Sequence, residues 1–548
     1  MKILSRTILV AVVFAYSALA ADFDLFNVDE PLQCDIGQSC ASFPLHARNK
    51  SVPSETVRGA SGDEMAASRR QLFRRLQASR VPVEKPAFSI KLSEQDFIDI
   101  GEAPGADGAV RRPSSRKVQV GVDKVVGVNV SFTSLAGRRL GRAPHMGGSV
   151  SEGPDGELVW TALAHSKGAS ALRIGLQNFD LPDGAALYVY SDRGEAFGPY
   201  RGEGPGDEGY FWTNTIMGDT VTLQLHYDGP RDAASLGRLG FRIESISHIG
   251  SRLPLKDFVG VEQAAPEAST ESFCSYNASC VMPGQNFMGA EDAVALIIFN
   301  SQGGSFICSG GLLRDTVDGS VIPYFLTANH CVSKGREANS VEAVFDFDTN
   351  CSDRYAQNGN YPRTNGSSIR STSRTSDYTL LELKQIPGGS RTYLGWNSDP
   401  VAFTSGVGLF RLSHPAGAPQ SYSEHSVDTS KGTCSSWPRG NWIYSADTYG
   451  ATEGGSSGSP VMNASGEVVG QLSGGCGFNV GDVCDAGSNA TVDGAFAAYF
   501  SAIEQFLDPD NGGGGGGCTL LGKGQTCFDD SECCSNKCKG PSGRKTCK

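Results

Sequence analysis

Tyr324-Phe325-Leu326-Thr327-Ala328-Asn329-His330-Cys331 is an apolar strand pattern that ends on a histidine beside a cysteine. An imidazole with an unperturbed pKa of about 6.5 can take and return a proton at neutral pH, so His330 is a candidate general base. Forty-seven residues on, Ser376-Asp377-Tyr378-Thr379-Leu380-Leu381 places a carboxylate at the head of a second apolar strand. Eighty residues beyond Asp377, Gly454-Gly455-Ser456-Ser457-Gly458-Ser459-Pro460 sets serines in a glycine-rich turn. Ser457 is the candidate nucleophile, with His330 taking its proton and Asp377 fixing the imidazole tautomer. The N–H groups of Gly455 and Ser457 are candidates to hold a developing oxyanion, and the glycines let the backbone turn tightly enough to aim them. Any one stretch alone reads as an ordinary turn or a structural histidine. Ser456 and Ser459 compete with Ser457, and His414 and His425 with His330, although neither histidine stands beside a cysteine after an apolar strand. Asp346 and Asp348 compete with Asp377 but follow His330 by only 16 and 18 residues. The weight lies in the order base, acid, nucleophile.

The chain around these stretches has 548 residues, which implies three or four units at roughly 150 residues per domain. A composition of 39% hydrophobic and 19% charged residues suits folded modules, and 69 glycines with few long helical patterns lean toward β structure. A formal charge of −12 argues against nucleic-acid binding, which wants a basic surface. Lys2 and Arg6, the apolar stretch Ile8 to Tyr16 and the small residues Ala18-Leu19-Ala20 read as a signal peptide over 1–20. No later stretch reaches the roughly 18 apolar residues that span a bilayer. The expected location is therefore secreted and extracellular, where disulfides persist. The 16 cysteines fall into even groups of two, eight and six, as closed bridge sets within separate domains require.

Residues 21–112 lack regular periodicity and carry the dibasic pairs Arg69-Arg70, Arg74-Arg75 and Arg111-Arg112, which reads as a pro-region with basic sites open to processing, or as a linker. Residues 113–251 change to short alternating runs, including Val118–Val122, Ala171–Ile174, Ala186–Tyr190 and Val221–Leu225, parted by turns such as Pro182-Asp183-Gly184. That spacing predicts a β-sandwich-like domain. Its Trp160 and Trp212 read as core aromatics, and His165, His226 and His248 are too scattered for a metal site. Residues 252–269 read as a linker and activation region, with Lys256 one candidate cleavage point. Residues 270–508 hold the three decisive stretches. A glycine-rich linker at 509–517 leads to 518–548, where six cysteines include the adjacent pair Cys533-Cys534 and resemble the inhibitor cystine-knot (knottin) scaffold. A zinc site there is the weaker reading, since the segment has no histidine.

Tyr324 to Cys331, Thr375 to Leu383 and Gly455 to Pro460 together resemble the bacterial lysyl endopeptidases, over about residues 270–508. These are trypsin-like secreted serine proteases, and the order His, Asp, Ser is that of the chymotrypsin type. The resemblance implies a chymotrypsin-like double β-barrel and the roles already given to His330, Asp377 and Ser457. It implies that Gln471-Leu472-Ser473-Gly474-Gly475 is the strand that binds substrate backbone, through Ser473, Gly474 and Gly475, with Ser473 near the acid. It implies bridges Cys308 to Cys331, Cys280 to Cys351 and Cys274 to Cys484, which leaves Cys434 and Cys476 to pair with each other. The specificity pocket departs from the family. Where the family has an aspartate three residues before a glycine, Gly494 is preceded by Thr491, whereas counting forward from Cys484 lands on Asp493. Asp493 is thus the candidate to pair a basic side chain, against the plainer reading of a solvated loop charge.

The expectation is a mainly β chain: a secreted serine endopeptidase made as a zymogen, working through an acyl-enzyme without metal or cofactor. Its partners are protein or peptide substrates, with a surface, polysaccharide or protein ligand for the C-terminal module. The alternative is a catalytically inactive protease-like scaffold used for surface binding or adhesion.

Overall fold

The computed structural model describes residues 50–102, 117–253, 272–281, 287–349, 361–434, 436–509, 538–539 and 546–547. The signal peptide, Cys34, Cys40, Arg111-Arg112, Lys256, Cys351 and the glycine run lie outside those residues. So does nearly all of the knottin-like segment, of which two short antiparallel strands, Cys538–Lys539 and Thr546–Cys547, are described. All described residues belong to one compact unit, Pro44–Lys548. Among them, no helix is long and apolar enough to cross a membrane.

The chain is mainly β. Residues 118–249 form two layers. One runs Ala196–Tyr200, Ala185–Tyr190, Thr220–Tyr227, Leu158–Ser166, Gly148–Glu152, Ala143–His145; the other runs Phe211–Trp212, Ala171–Gln177, Gly240–Ile249, Val118–Ser131. Alternate residues of each layer, among them Leu172, Ile174, Leu187, Leu223, Phe241 and Ile243, meet in a shared core. Trp160 is fully buried there, and its indole N–H donates to the His145 carbonyl at 2.9 Å.

The segment before the sandwich is more regular than its sequence suggests. Ser61 and Glu64 close a capping box at the start of the helix Gly62–Ser79. Leu76, with Leu72 and Phe73 beside it, packs on Tyr188 and Tyr190. Arg69-Arg70 and Arg74-Arg75 lie inside this helix, so the expectation of open processing sites is corrected for both pairs. A helix must unwind before a protease can hold it extended. Burial also pushes the Arg69 guanidinium down to about 10, in the field of Glu195 and Arg363.

The remainder is the expected double barrel. Its first sheet runs Arg363–Asn365, Glu342–Val344, Val294–Ser301, Gly304–Leu313, Tyr324–Ala328, Tyr378–Leu383, Ser367–Ser373. The second barrel closes on itself: Pro460–Asn463, Gly408–Ser413, Ser421–Val427, Trp442–Tyr449, Asn489–Ala495, Val468–Gly477 and back to Pro460–Asn463. The helix Phe496–Leu507 packs Phe496, Tyr499, Phe500 and Ile503 into a core shared with both barrels.

Candidate active site

Strand pairing brings the first two groups together. Ala328 and Tyr378 are register partners at the adjoining ends of their strands, so His330, two residues past one, meets Asp377, just ahead of the other. Asp377 has a left-handed backbone (φ 51°), which lets its carboxylate fold back over the histidine loop. One oxygen accepts the His330 backbone N–H at 2.8 Å, and the other accepts from ring Nδ1 at 2.7 Å. A carboxylate can only accept there, so the ring proton sits on Nδ1 and the lone pair is left on Nε2. The Asp377 backbone is itself held: Asn329 N–H donates to its carbonyl at 2.9 Å. Gln471 Nε2 donates to the Ser376 and Asp377 carbonyls at 2.8 and 3.1 Å, and Tyr499 donates to Gln471 Oε1 at 2.5 Å.

The serine turn leaves the second barrel between Trp442–Tyr449 and Pro460–Asn463. Gly455 and Gly458 have φ of 99° and 84°, and a Cβ on either would meet atoms at 2.6 Å (His414 carbonyl) and 2.3 Å (Thr327 Oγ1). The turn docks on the first barrel: Ser309 N–H donates to the Ser457 carbonyl at 2.8 Å and Ser309 Oγ to the Gly455 carbonyl at 2.9 Å. The Ser457 carbonyl lies 3.8 Å from Cys331 Sγ, which lies 3.7 Å from His330 Nε2, so the serine turn and the imidazole both touch the Cys331 sulfur. Ser456 is held against Ser413 Oγ at 3.0 Å; Ser456, Ser457 and Ser459 are all buried, at 0, 1 and 0% exposure. Among the described residues, the N–H groups of Gly455 and Ser457 have no internal acceptor.

The rival residues sit elsewhere. His414 is fully buried, stacked on Phe347 and bonded to the Ala418 carbonyl; burial pushes it down to about 4. Asp346 is clasped by Arg391 through two contacts of 2.6 Å. Burial and the nearby Asp346 charge push Asp348 up to about 6. Disulfides join Cys308 to Cys331, Cys274 to Cys484 and Cys434 to Cys476. Cys280 is also disulfide-bonded, while Cys351 lies outside the described residues. Cys308, Cys331 and His330 cluster closely enough to suggest metal ligands, but both sulfurs are consumed by their bridge, so no thiolate is available.

A pocket beside the serine turn is lined by Thr452, Glu453, Leu472, Gly474, Gly475, Thr491 and Asp447, so Gly474 and Gly475 reach it. Ser473 is buried, and its hydroxyl has no hydrogen-bond partner among the described residues; the side chain that reaches the Asp377 backbone is Gln471. Asp493 requires a correction. It is fully buried inside the second barrel, where Arg411 clasps its carboxylate at 2.7 and 3.0 Å. An isolated charge in that interior would be prohibitive, and the Arg411 counter-charge consumes it.

Asp447 faces the pocket instead. It accepts from His425 Nδ1 at 2.8 Å and Thr491 Oγ1 at 2.6 Å, both at Oδ1. Arg411 Nε–H donates to His425 Nε2 at 3.1 Å, and Ser423 Oγ lies 2.8 Å from the same nitrogen. Burial works to raise the Asp447 carboxyl, but hydrogen bonds from His425 and Thr491 and the Arg411 charge hold it below the usual value.

The Lysyl endopeptidase, C-terminal domain family matches residues 268–488. The chain is 25% identical over 370 residues to a lysyl endopeptidase of Pseudomonas aeruginosa, covering 65% of this chain and 76% of that protein. It is 26% identical over 325 residues to the Secreted RxLR effector protein 73 of Plasmopara viticola, covering 56% and 76%. Among solved structures, the MamO protease domain of Magnetospirillum magneticum aligns over 39% of this chain and 97% of its own, at 15% identity and a TM-score of 0.27. The family match and the Pseudomonas relative support a protease of the serine type.

Proposed function

We propose that this chain is a secreted serine endopeptidase, made as a zymogen, that prefers a basic residue before the scissile bond. His330 Nε2 takes the Ser457 proton as Oγ attacks the peptide carbonyl carbon, and the N–H groups of Gly455 and Ser457 receive the oxyanion. Collapse breaks the C–N bond and His330 returns the proton to the leaving amine. Water, deprotonated by the same imidazole, then hydrolyses the acyl-Ser457 ester. The observation that carries this reading is the two-point hold of Asp377 on His330, which fixes the tautomer a general base needs.

The basic preference is supported by the Asp447 carboxylate at the pocket wall. Secretion agrees with the bridged cysteines, and the linker at 252–269 is where we place activation. The tail at 518–548 would tether the enzyme to a surface, polysaccharide or protein. The test is digestion of a mixed peptide library, with cut sites mapped by mass spectrometry, beside Ser457→Ala. Cleavage after Lys or Arg that vanishes in the variant is the expected result; cleavage surviving in Ser457→Ala contradicts the assignment.

A further inference from the structure

We infer that the N-terminal sandwich is a permanent partner of the catalytic barrels, so that cutting the chain between them leaves the two parts bound and the cleft open. The binding argument is independent of the proposed chemistry; only the open cleft rests on that reading.

The strand Val294–Ser301 carries the first observation. Its alternate residues Ala295, Ile297 and Phe299 fill the first barrel. Leu296 and Ile298, pointing the other way, join Ile307 and Val344 in a cluster with Val120, Met217, Ile249 and Leu253 of the sandwich side. A strand apolar on both faces needs cover on both, and the sandwich supplies the second. The edge of the barrel is covered too: Gly304 to Ile307 pair with Val118 to Val122, making one continuous sheet.

Buried charges cross the same junction. Glu342 of the barrel is fully buried and accepts from Asn214 Nδ2 at 2.9 Å, Thr215 N–H at 2.8 Å and Thr215 Oγ1 at 2.6 Å. Arg363 faces Glu195 at 3.3 Å and donates to the Thr215 carbonyl at 2.8 Å. From the sandwich, Arg173 is fully buried and donates to Asn300 Oδ1 at 2.7 Å and the Ser340 carbonyl at 2.8 Å. A barrel parted from the sandwich would strip Glu342 of Asn214 and Thr215 and Arg363 of Glu195, leaving the two only their own contact at 3.6 Å, and would bare Leu296, Ile298 and Ile307 to water. A third tie lies further round: Ser51–Val52 pairs with Trp396–Asn397, and Glu55–Val57 with Arg391–Tyr393.

None of these contacts involves His330, Asp377, Ser457 or a residue lining the pocket. The sandwich therefore acts as a wall of the barrel and not as a plug in its cleft.

The test replaces part of 254–271 in the full chain with a recognition site for a sequence-specific viral protease, cuts it, and follows the pieces by native mass spectrometry and sedimentation. A bound pair in high salt, parting only in denaturant, is expected. Arg363→Ala should weaken the cut pair by at least about a hundredfold, by removing the buried cation that faces Glu195 across the junction and donates to the Thr215 carbonyl. A fluorophosphonate probe should label Ser457 of the cut pair while its two parts are still bound. Separation into two independently folded pieces would overturn the inference. Labelling only after separation would overturn the open cleft, whereas no labelling either before or after separation would count against the proposed chemistry and leave the partnership standing.

Discussion

Asp377 grips His330 at two points, its carboxylate oxygens accepting separately from the ring Nδ1–H at 2.7 Å and the backbone N–H at 2.8 Å. The backbone contact fixes which oxygen faces the ring. In Asp377→Asn, the amide oxygen would keep the backbone N–H and the NH₂ would face Nδ1, forcing that nitrogen to accept and moving the ring proton to Nε2. The base would then be blocked. We expect kcat to fall about ten-thousand-fold with little change in melting temperature, measured by peptide hydrolysis beside calorimetry.

Asp447 and Asp493 predict opposite outcomes for the same chemical change. Asp447→Asn removes the pocket charge and should cut kcat/KM for substrates with a basic residue before the scissile bond, with less effect on neutral ones. Asp493→Asn leaves Arg411 buried without its counter-charge and should cost about 3–5 kcal/mol of stability while sparing the preference. Paired denaturation and library digestion distinguish the two.

His414 should make stability fall in acid. Its buried imidazole is pushed from 6.5 down to about 4, so the unfolded chain binds this proton more readily than the folded one. The contribution is complete above pH 6.5 and is lost as pH falls toward 4, a loss of on the order of 3 kcal/mol. Urea denaturation of the protein and of His414→Gln across this range should show a shallower pH slope in the variant.

Gly458→Ala should disable the serine turn. The added Cβ would sit 2.3 Å from Thr327 Oγ1 and 2.5 Å from the Ser309 carbonyl, at a φ of 84°. Both neighbours belong to paired strands and cannot retreat freely. We expect at least about a hundredfold loss of activity, since displacing one oxyanion donor costs that much, read by single-turnover kinetics on folded protein.

The candidate histidine, aspartate and serine stand out in the sequence because each lies at the end of an apolar strand or in a glycine turn, local patterns a sequence displays directly. The sandwich strands were legible through alternation. The Asp447 carboxylate at the pocket wall was not, because Asp447 and Thr491 meet only when Trp442–Tyr449 pairs with Asn489–Ala495. Asp493 misled because its partner stands 82 residues away. One signal was present: Arg411 inside Leu409-Phe410-Arg411-Leu412 is a charge in an apolar strand, which demands a buried counter-ion. The helix Gly62–Ser79 escaped because its narrow apolar stripe is diluted by arginines that reach over the sandwich surface.

Active-site labelling tests the central claim most directly. Processed, folded protein would be treated with a fluorophosphonate and the adduct located by mass spectrometry, beside Ser457→Ala and Asp377→Asn. A single adduct on Ser457, absent from the first variant and formed far more slowly in the second, is the predicted result. An unlabelled Ser457 in folded protein, or a faster-labelled serine elsewhere, would contradict it.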